Sequence, residues 1–112
     1  MITQGDIFYV DFNPSMGHEQ KNRRPAIALS NDLVAKYSGM TIVAPISSTT
    51  RNFPMYMPLP INLPVHGKVL LDQTTALDLE SRRVPENDIV GHLTNTELTE
   101  ILNRYKLLFD ID

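Results

Sequence analysis

The segment Gly17 to Pro25, GHEQKNRRP, places His18, Glu19, Gln20, Lys21, Arg23 and Arg24 between two apolar runs. An imidazole, an acid, two amides and three cations in so short a stretch suit it to meeting a charged ligand. Arg24 leads directly into Pro25 and the run AIALS. The ring of Pro25 fixes the backbone there, so the guanidinium is expected at a rigid junction between loop and strand. Ser47 and Ser48 follow the apolar run TIVAPI and open the polar stretch SSTTRN. Their hydroxyls either face a groove or close an ordinary turn on their own backbone. Asp72 and Gln73 end the run KVLL, as a structural turn or as polar groups offered at a strand tip. Glutamine both donates and accepts hydrogen bonds and can read a nucleobase edge, while arginine's five-donor fork suits a phosphate. Arg24 and Gln73 could therefore serve one site.

Other chemistries find less support. Neither GxGxxG nor GxxxxGK[ST] occurs, which removes the common phosphate-cofactor loops. His18, His66 and His92 are far apart in the sequence and sit in turn-like contexts. They read as solvated loop histidines, and no metal or cofactor is assigned. Arg82 and Arg83 read as a solvated or ion-paired face. With no cysteine, disulfides and thiolate metal sites are impossible, and a reducing compartment, the cytoplasm, is the expectation. The start MITQGD has no basic leader with a long apolar core, and no apolar run nears the ~20 residues that would span a bilayer. Neither export nor membrane insertion is expected.

A chain of 112 residues accommodates one domain, residues 1–112, with a modest core. The net charge of −3 disfavours long-range attraction of polyanions by the whole molecule. Residues 1–51 nevertheless hold five Lys/Arg against four Asp/Glu, and residues 52–112 five against nine, so a local basic pocket is compatible with the acidic total. Positions 7–12 alternate in the manner of a half-buried strand. Ala26 to Leu29 and Thr41 to Ile46 read as inner strands, with about one helical turn between them. The prolines of MYMPLPINLP confine that run to an edge strand or an extended arm. KVLLDQTTALDL supplies one or two strands broken near Asp72 and Gln73, for up to six strands in all. Leu98, Ile101, Leu102, Tyr105, Leu108 and Phe109 then recur at helical spacing, and Thr94 with Glu97 makes a capping box. The expected fold is mainly β (α+β): a small, strongly bent antiparallel sheet or barrel closed by a C-terminal helix.

In this order and spacing, GDIFYVDFNPSMGHEQKNRRPAIALS, then VAPISS with TTRNFP, then GKVLLDQTTALDL resemble the MazF/PemK toxin family of toxin–antitoxin systems over most of the chain. The resemblance implies an SH3-like β-barrel, a homodimer, a MazE/PemI-like antitoxin as partner, and sequence-specific, metal-independent cleavage of single-stranded RNA. It puts Arg24 at the family's catalytic arginine and Ser47 where threonine is usual, with Ser48 beside it. Glu19 and Gln20 match the acid–amide pair, and Gln73 matches the glutamine of the DQ motif. His18 stands where serine is frequent. On this reading Arg24, Ser47 and Glu19 are catalytic, and His18, Gln20, Lys21, Arg23, Ser48 and Gln73 contact substrate. RNA carries its own nucleophile, the 2′-hydroxyl, so the protein need only align it and stabilise the anionic transition state. Arginine stays charged and is a poor base, which leaves Glu19 or His18 as the base.

Two rivals come from other classes. A CcdB-like gyrase poison shares the barrel and acts by binding protein, but its pattern has a tryptophan near the C-terminus, and this chain has no tryptophan. A noncatalytic SH3-like module would need an aromatic-lined groove for proline-rich ligands, and several of the eight aromatic residues fall at core-facing positions.

Overall fold

The computed structural model describes residues 1–12, 23–82 and 84–112, so the expectations placed on His18, Glu19, Gln20, Lys21 and Arg83 lie outside the described residues. The elements are β1 (Asp6–Asp11), β2 (Arg23–Ala28), α1 (Asp32–Ser38), β3 (Thr41–Ser47), β4 (Tyr56–Pro58), β5 (Lys68–Leu70), β6 (Thr75–Leu77), β7 (Ile89–His92) and α2 (Asn95–Lys106). Their pairing is antiparallel throughout, in the order β4-β5-β3-β2-β1-β7, with β6 also on β3. The result is a strongly curled sheet of seven strands, one more than expected. The additional strand is β7, whose sequence IVGH is too short and too mixed to carry a period-2 signal.

Alternation along β1 supplies two cores rather than one. Ile7 joins a cluster with Ile27, Ala44, Ile46, Val69 and Leu71, over which α2 lays Leu98 and Ile101. Phe8 and Val10 point to the other face and pack with Ala26, Ala28, Val43, Leu77 and Leu79. The curled sheet thus covers both sides of β1, and the expected half-buried strand is buried on both faces. The alanines of β2 keep the second layer thin.

β5 and β6 share one edge of β3. Ile46 and Ser47 face Val69 and Lys68, while Thr41 to Val43 face Leu77 to Thr75. A 3₁₀ turn at Leu71–Gln73 separates the two strands, at the break expected near Asp72 and Gln73. β4 lies at the sheet edge, where Pro58 removes no shared rung. The turn between β2 and β3 holds a full α1, started by the Asn31 side chain accepting from the backbone of Leu33 and Val34, and ended by Gly39 at φ 75°.

The capping box of α2 forms: Glu97 N–H donates to Thr94 Oγ1 at 3.2 Å, and Thr94 N–H to Glu97 Oε1 at 2.9 Å. Its apolar stripe ends sooner than its spacing predicts. The chain tightens to a 3₁₀ turn at Leu107–Phe109, where three residues per turn replace 3.6 and rotate Leu108 and Phe109 off the buried face. They are 39% and 69% exposed. No helix among the described residues is long and apolar enough to cross a membrane.

Candidate active site

Four strand ends converge at one end of the curled sheet. The register sets Val10 of β1 opposite Arg24, Ala26 of β2 opposite Pro45, and Ser47 of β3 opposite Lys68. Side chains two apart share a face, so Arg24, Pro45 and Ser47 lie on the side of the sheet that carries Val10 and Val43. Carried on by two residues, the β2–β3 register would put Arg24 opposite Ser47. The ladder instead stops at Ala26 and Pro45. Pro25 has no N–H to donate toward Ile46, so a rung that could have held the strands together is lost, while the nitrogen of Pro45 faces the other edge of β3. Beyond them the strands open on a pocket of ≈ 440 Å³ lined by Phe12, Arg24, Pro25, Pro45, Ile46, Ser47, Ser48 and His66.

Arg24 therefore belongs to the strand, since β2 begins at Arg23 and not at the expected junction beside Ala26. Pairing with β1 explains the difference, because it extends the strand back through Val10 and Asp11. The Arg24 guanidinium is exposed, and its Nη1 donates to the Arg23 carbonyl at 3.1 Å. Ser47 Oγ accepts from the Thr49 amide at 3.1 Å, and Thr49 Oγ1 accepts from the Arg51 amide at 3.2 Å. Both readings of this serine hold together: it closes a local turn, and it lines the pocket. Because it accepts from Thr49, its own O–H remains able to donate outward. Lys68 Nζ donates to the Arg51 carbonyl at 2.8 Å and fastens the following loop to β5.

The structure thus gathers Arg24, Ser47 and Ser48, and adds His66. No carboxylate is among the described lining residues. The pocket is a local cation with hydroxyl donors on an acidic chain, a combination that binds the non-bridging oxygens of a phosphodiester. Sequence reading missed His66, because nineteen positions separate it from Ser47 and only the β3–β5 ladder joins them.

Arg23 and Gln73 lie elsewhere. Arg23 Nη2 is ion-paired with the Asp88 carboxylate and donates to the Tyr9 carbonyl at 3.2 Å, tying the start of β2 to β1 and to the turn before β7. Gln73, at the opposite end of β5 from the pocket, donates through Nε2 to the Tyr56 hydroxyl at 3.2 Å. Beside it Phe53 meets Tyr56 edge to face at 5.1 Å. His92 is no loop residue: it ends β7, and its Nδ1 lies 2.6 Å from Asp6 Oδ1. Arg82 Nη1 donates to the Asp11 carbonyl at 2.5 Å, a backbone contact where a solvated or ion-paired face was expected. Among the described residues no group of three or more His, Cys, Asp or Glu could hold a metal ion.

Curled sheet, closing helix and cationic hydroxyl-lined pocket define a small half-barrel protein whose pocket has the donors that suit phosphodiester oxygens. Residues 3–109 match the family described as PemK-like, MazF-like toxin of type II toxin-antitoxin system. Over 85 residues, 70% of this chain and 72% of its relative, the sequence is 41% identical to the endoribonuclease toxin ChpB of Escherichia coli (strain K12). The fold superposes on MazF from Deinococcus radiodurans with a TM-score of 0.78 at 30% identity, covering 97% of this chain and 96% of the other. It is also similar to a chain of the MazE–MazF structure (form II) from the same organism, with a TM-score of 0.77, 25% identity, and coverage of 98% and 96%. This chain belongs to the PemK-like, MazF-like family of toxins of type II toxin–antitoxin systems.

Proposed function

We propose that this chain is the toxin of such a pair and a sequence-specific, metal-independent endoribonuclease of single-stranded RNA, working in the cytoplasm as a homodimer. The observation that carries the reading is the meeting of Arg24 with Ser47 and Ser48 in one pocket, with no carboxylate among its described lining residues. Guanidinium and hydroxyls donate to the non-bridging oxygens of the scissile phosphate, where charge grows as the bond to the incoming oxygen forms. The 2′-hydroxyl attacks the adjacent phosphorus, the P–O5′ bond breaks, and the products carry a 2′,3′-cyclic phosphate and a 5′-hydroxyl. Glu19, His18, Gln20 and Lys21 flank the site in sequence and would meet the strand beside the scissile bond. Gln73, with Phe53 exposed nearby, offers an amide and a ring to unstacked bases further along.

The toxin's partner is a MazE/PemI-like antitoxin, a proposal supported by family membership and by the MazE–MazF structure that the chain resembles. Leu107, Phe109 and Ile111, exposed together at the C-terminal end, offer apolar surface for pairing of two copies. The alternatives of a gyrase poison and a noncatalytic module have no use for an arginine–hydroxyl pocket.

The test is a pair of oligonucleotides that differ in one oxygen. An all-RNA substrate should be cut, and one with a single 2′-deoxy nucleotide immediately 5′ of the scissile phosphate should bind yet stay intact. Cleavage of the deoxy substrate would point to an activated water or a protein nucleophile. Failure to cut any all-RNA substrate across varied sequences would favour the noncatalytic reading.

A further inference from the structure

We infer that His66 is the general base of this site: its imidazole takes the proton of the attacking 2′-hydroxyl. The inference rests on the endoribonuclease reading above and assigns the step that reading leaves without an owner among the described residues.

Of the pocket's lining side chains, Phe12, Pro25, Pro45 and Ile46 carry no exchangeable proton. Arg24 has five donors and no acceptor, and serine hydroxyls are not basic near neutral pH. Among the described lining residues, His66 is the one group of a type that accepts protons in that range. Its placement is built by the fold. Ser47 faces Lys68 across the β3–β5 ladder, and Gly67, between Lys68 and the histidine, lies flat against the Ser47 backbone. A Cβ on Gly67 would come 2.5 Å from the Ser47 carbonyl oxygen, and its φ of +141° is one that L side chains rarely adopt. The Gly67 carbonyl also accepts from the Leu59 amide at 2.9 Å. His66 is thus fixed near Ser47 by backbone contacts, and it is an exposed residue of the pocket lining.

Among the described residues, the charged groups near it are cations. Arg24 faces the pocket from β2, and Lys68 on β5 is turned to Arg51 and Asn52. As the 2′-oxygen bonds to phosphorus its proton passes to the imidazole. The P–O5′ bond breaks, the 5′-oxygen takes a proton from water, and the imidazolium returns its proton to solvent.

The experiment maps a cut site for the wild type on a mixed RNA pool, then follows a short all-RNA oligonucleotide containing it. His66→Ala should lower kcat by about 10²- to 10⁴-fold with KM nearly unchanged. It should lose the acidic limb of the pH–rate profile and regain rate on addition of free imidazole. The same loss should persist on a substrate whose 5′-bridging oxygen is replaced by sulfur, a leaving group that needs no proton. His66→Gln, which keeps hydrogen bonding without basicity, should be as impaired as alanine. A kcat within threefold of wild type, a loss confined to KM, or an unchanged pH profile would each overturn the assignment. A defect abolished by the sulfur substrate would make His66 an acid and overturn it also. A wild type that cuts no RNA overturns the functional reading itself, whereas a cutting wild type with an unimpaired variant overturns this inference alone.

Discussion

Arg23 and Arg24 are adjacent in sequence, yet alternation along β2 sends their side chains to opposite faces and to different work. Arg23 is bound to Asp88 and the Tyr9 carbonyl, and Arg24 lines the pocket. Arg24→Ala is expected to lower kcat by at least about 10²-fold, the scale of losing one donor to a developing oxyanion, with an unchanged thermal midpoint. Arg24→Lys should also be poor, because an ammonium does not reproduce the planar fork. Arg23→Ala should show the reverse balance, a lowered midpoint with a smaller loss of cleavage per folded molecule. Parallel melting curves and single-turnover rates separate the two. Ser47→Ala should slow cleavage, and Ser47→Thr should retain most of it, since threonine keeps the hydroxyl that accepts from Thr49 and donates outward. Equal losses in the two variants would indicate that packing and not the hydroxyl is at stake.

At the scale of elements, the pocket exists because strands that pair elsewhere cannot pair here. Pro25 ends the β2–β3 ladder, and Gly67 lets β5 approach the end of β3 closely enough to bring His66 alongside. Gly67→Ala is expected to destabilise the protein by about 1–3 kcal/mol through forced displacement of the Ser47 backbone. It should also depress cleavage beyond what the folded fraction explains, since Ser47 and His66 move with it. Denaturant unfolding set against kcat tests this, and a stable variant of normal activity would show that the contact is not needed. The closing helix obeys more local rules. Thr94→Ala removes one half of a capping box and should cost about 1 kcal/mol without touching kcat, because α2 packs on the layer away from the pocket.

For the whole molecule, a net charge of −3 means that, on the proposed function, RNA and an acidic antitoxin segment would be drawn by local cations rather than by the overall field. Antitoxin binding, followed by calorimetry so that inactive variants can be measured, should weaken when Lys21 and Arg24 are both replaced by alanine. Unchanged affinity would place the antitoxin elsewhere. EDTA in excess should leave RNA cleavage unaltered, since on the proposed mechanism Arg24 and the hydroxyls supply the charge stabilisation and the substrate supplies the nucleophile. Light scattering should give about twice the 12.7 kDa chain mass; a monomeric mass at all concentrations would contradict the homodimer.

Much of this was readable from residue order because it is local. The capping box of α2, the break at Asp72 and Gln73, the proline-marked edge strand and the types of residue around Arg24 depend on neighbours a few positions apart. Backbone geometry acts directly on such spacings. What needed the tertiary structure depends on pairing across long separations. Sequence spacing says nothing of which strand ends coincide, so it could not bring His66 to Ser47, nor turn Arg23 away to Asp88, nor leave Gln73 at the far end of β5. Likewise, period-2 alternation looks the same whether one face of a strand is covered or both. Only the curl of the sheet buried Phe8 and Val10 on one side of β1 and Ile7 on the other. Residue types determined the chemistry available to this protein, and the register of the strands decided which of those groups could act together.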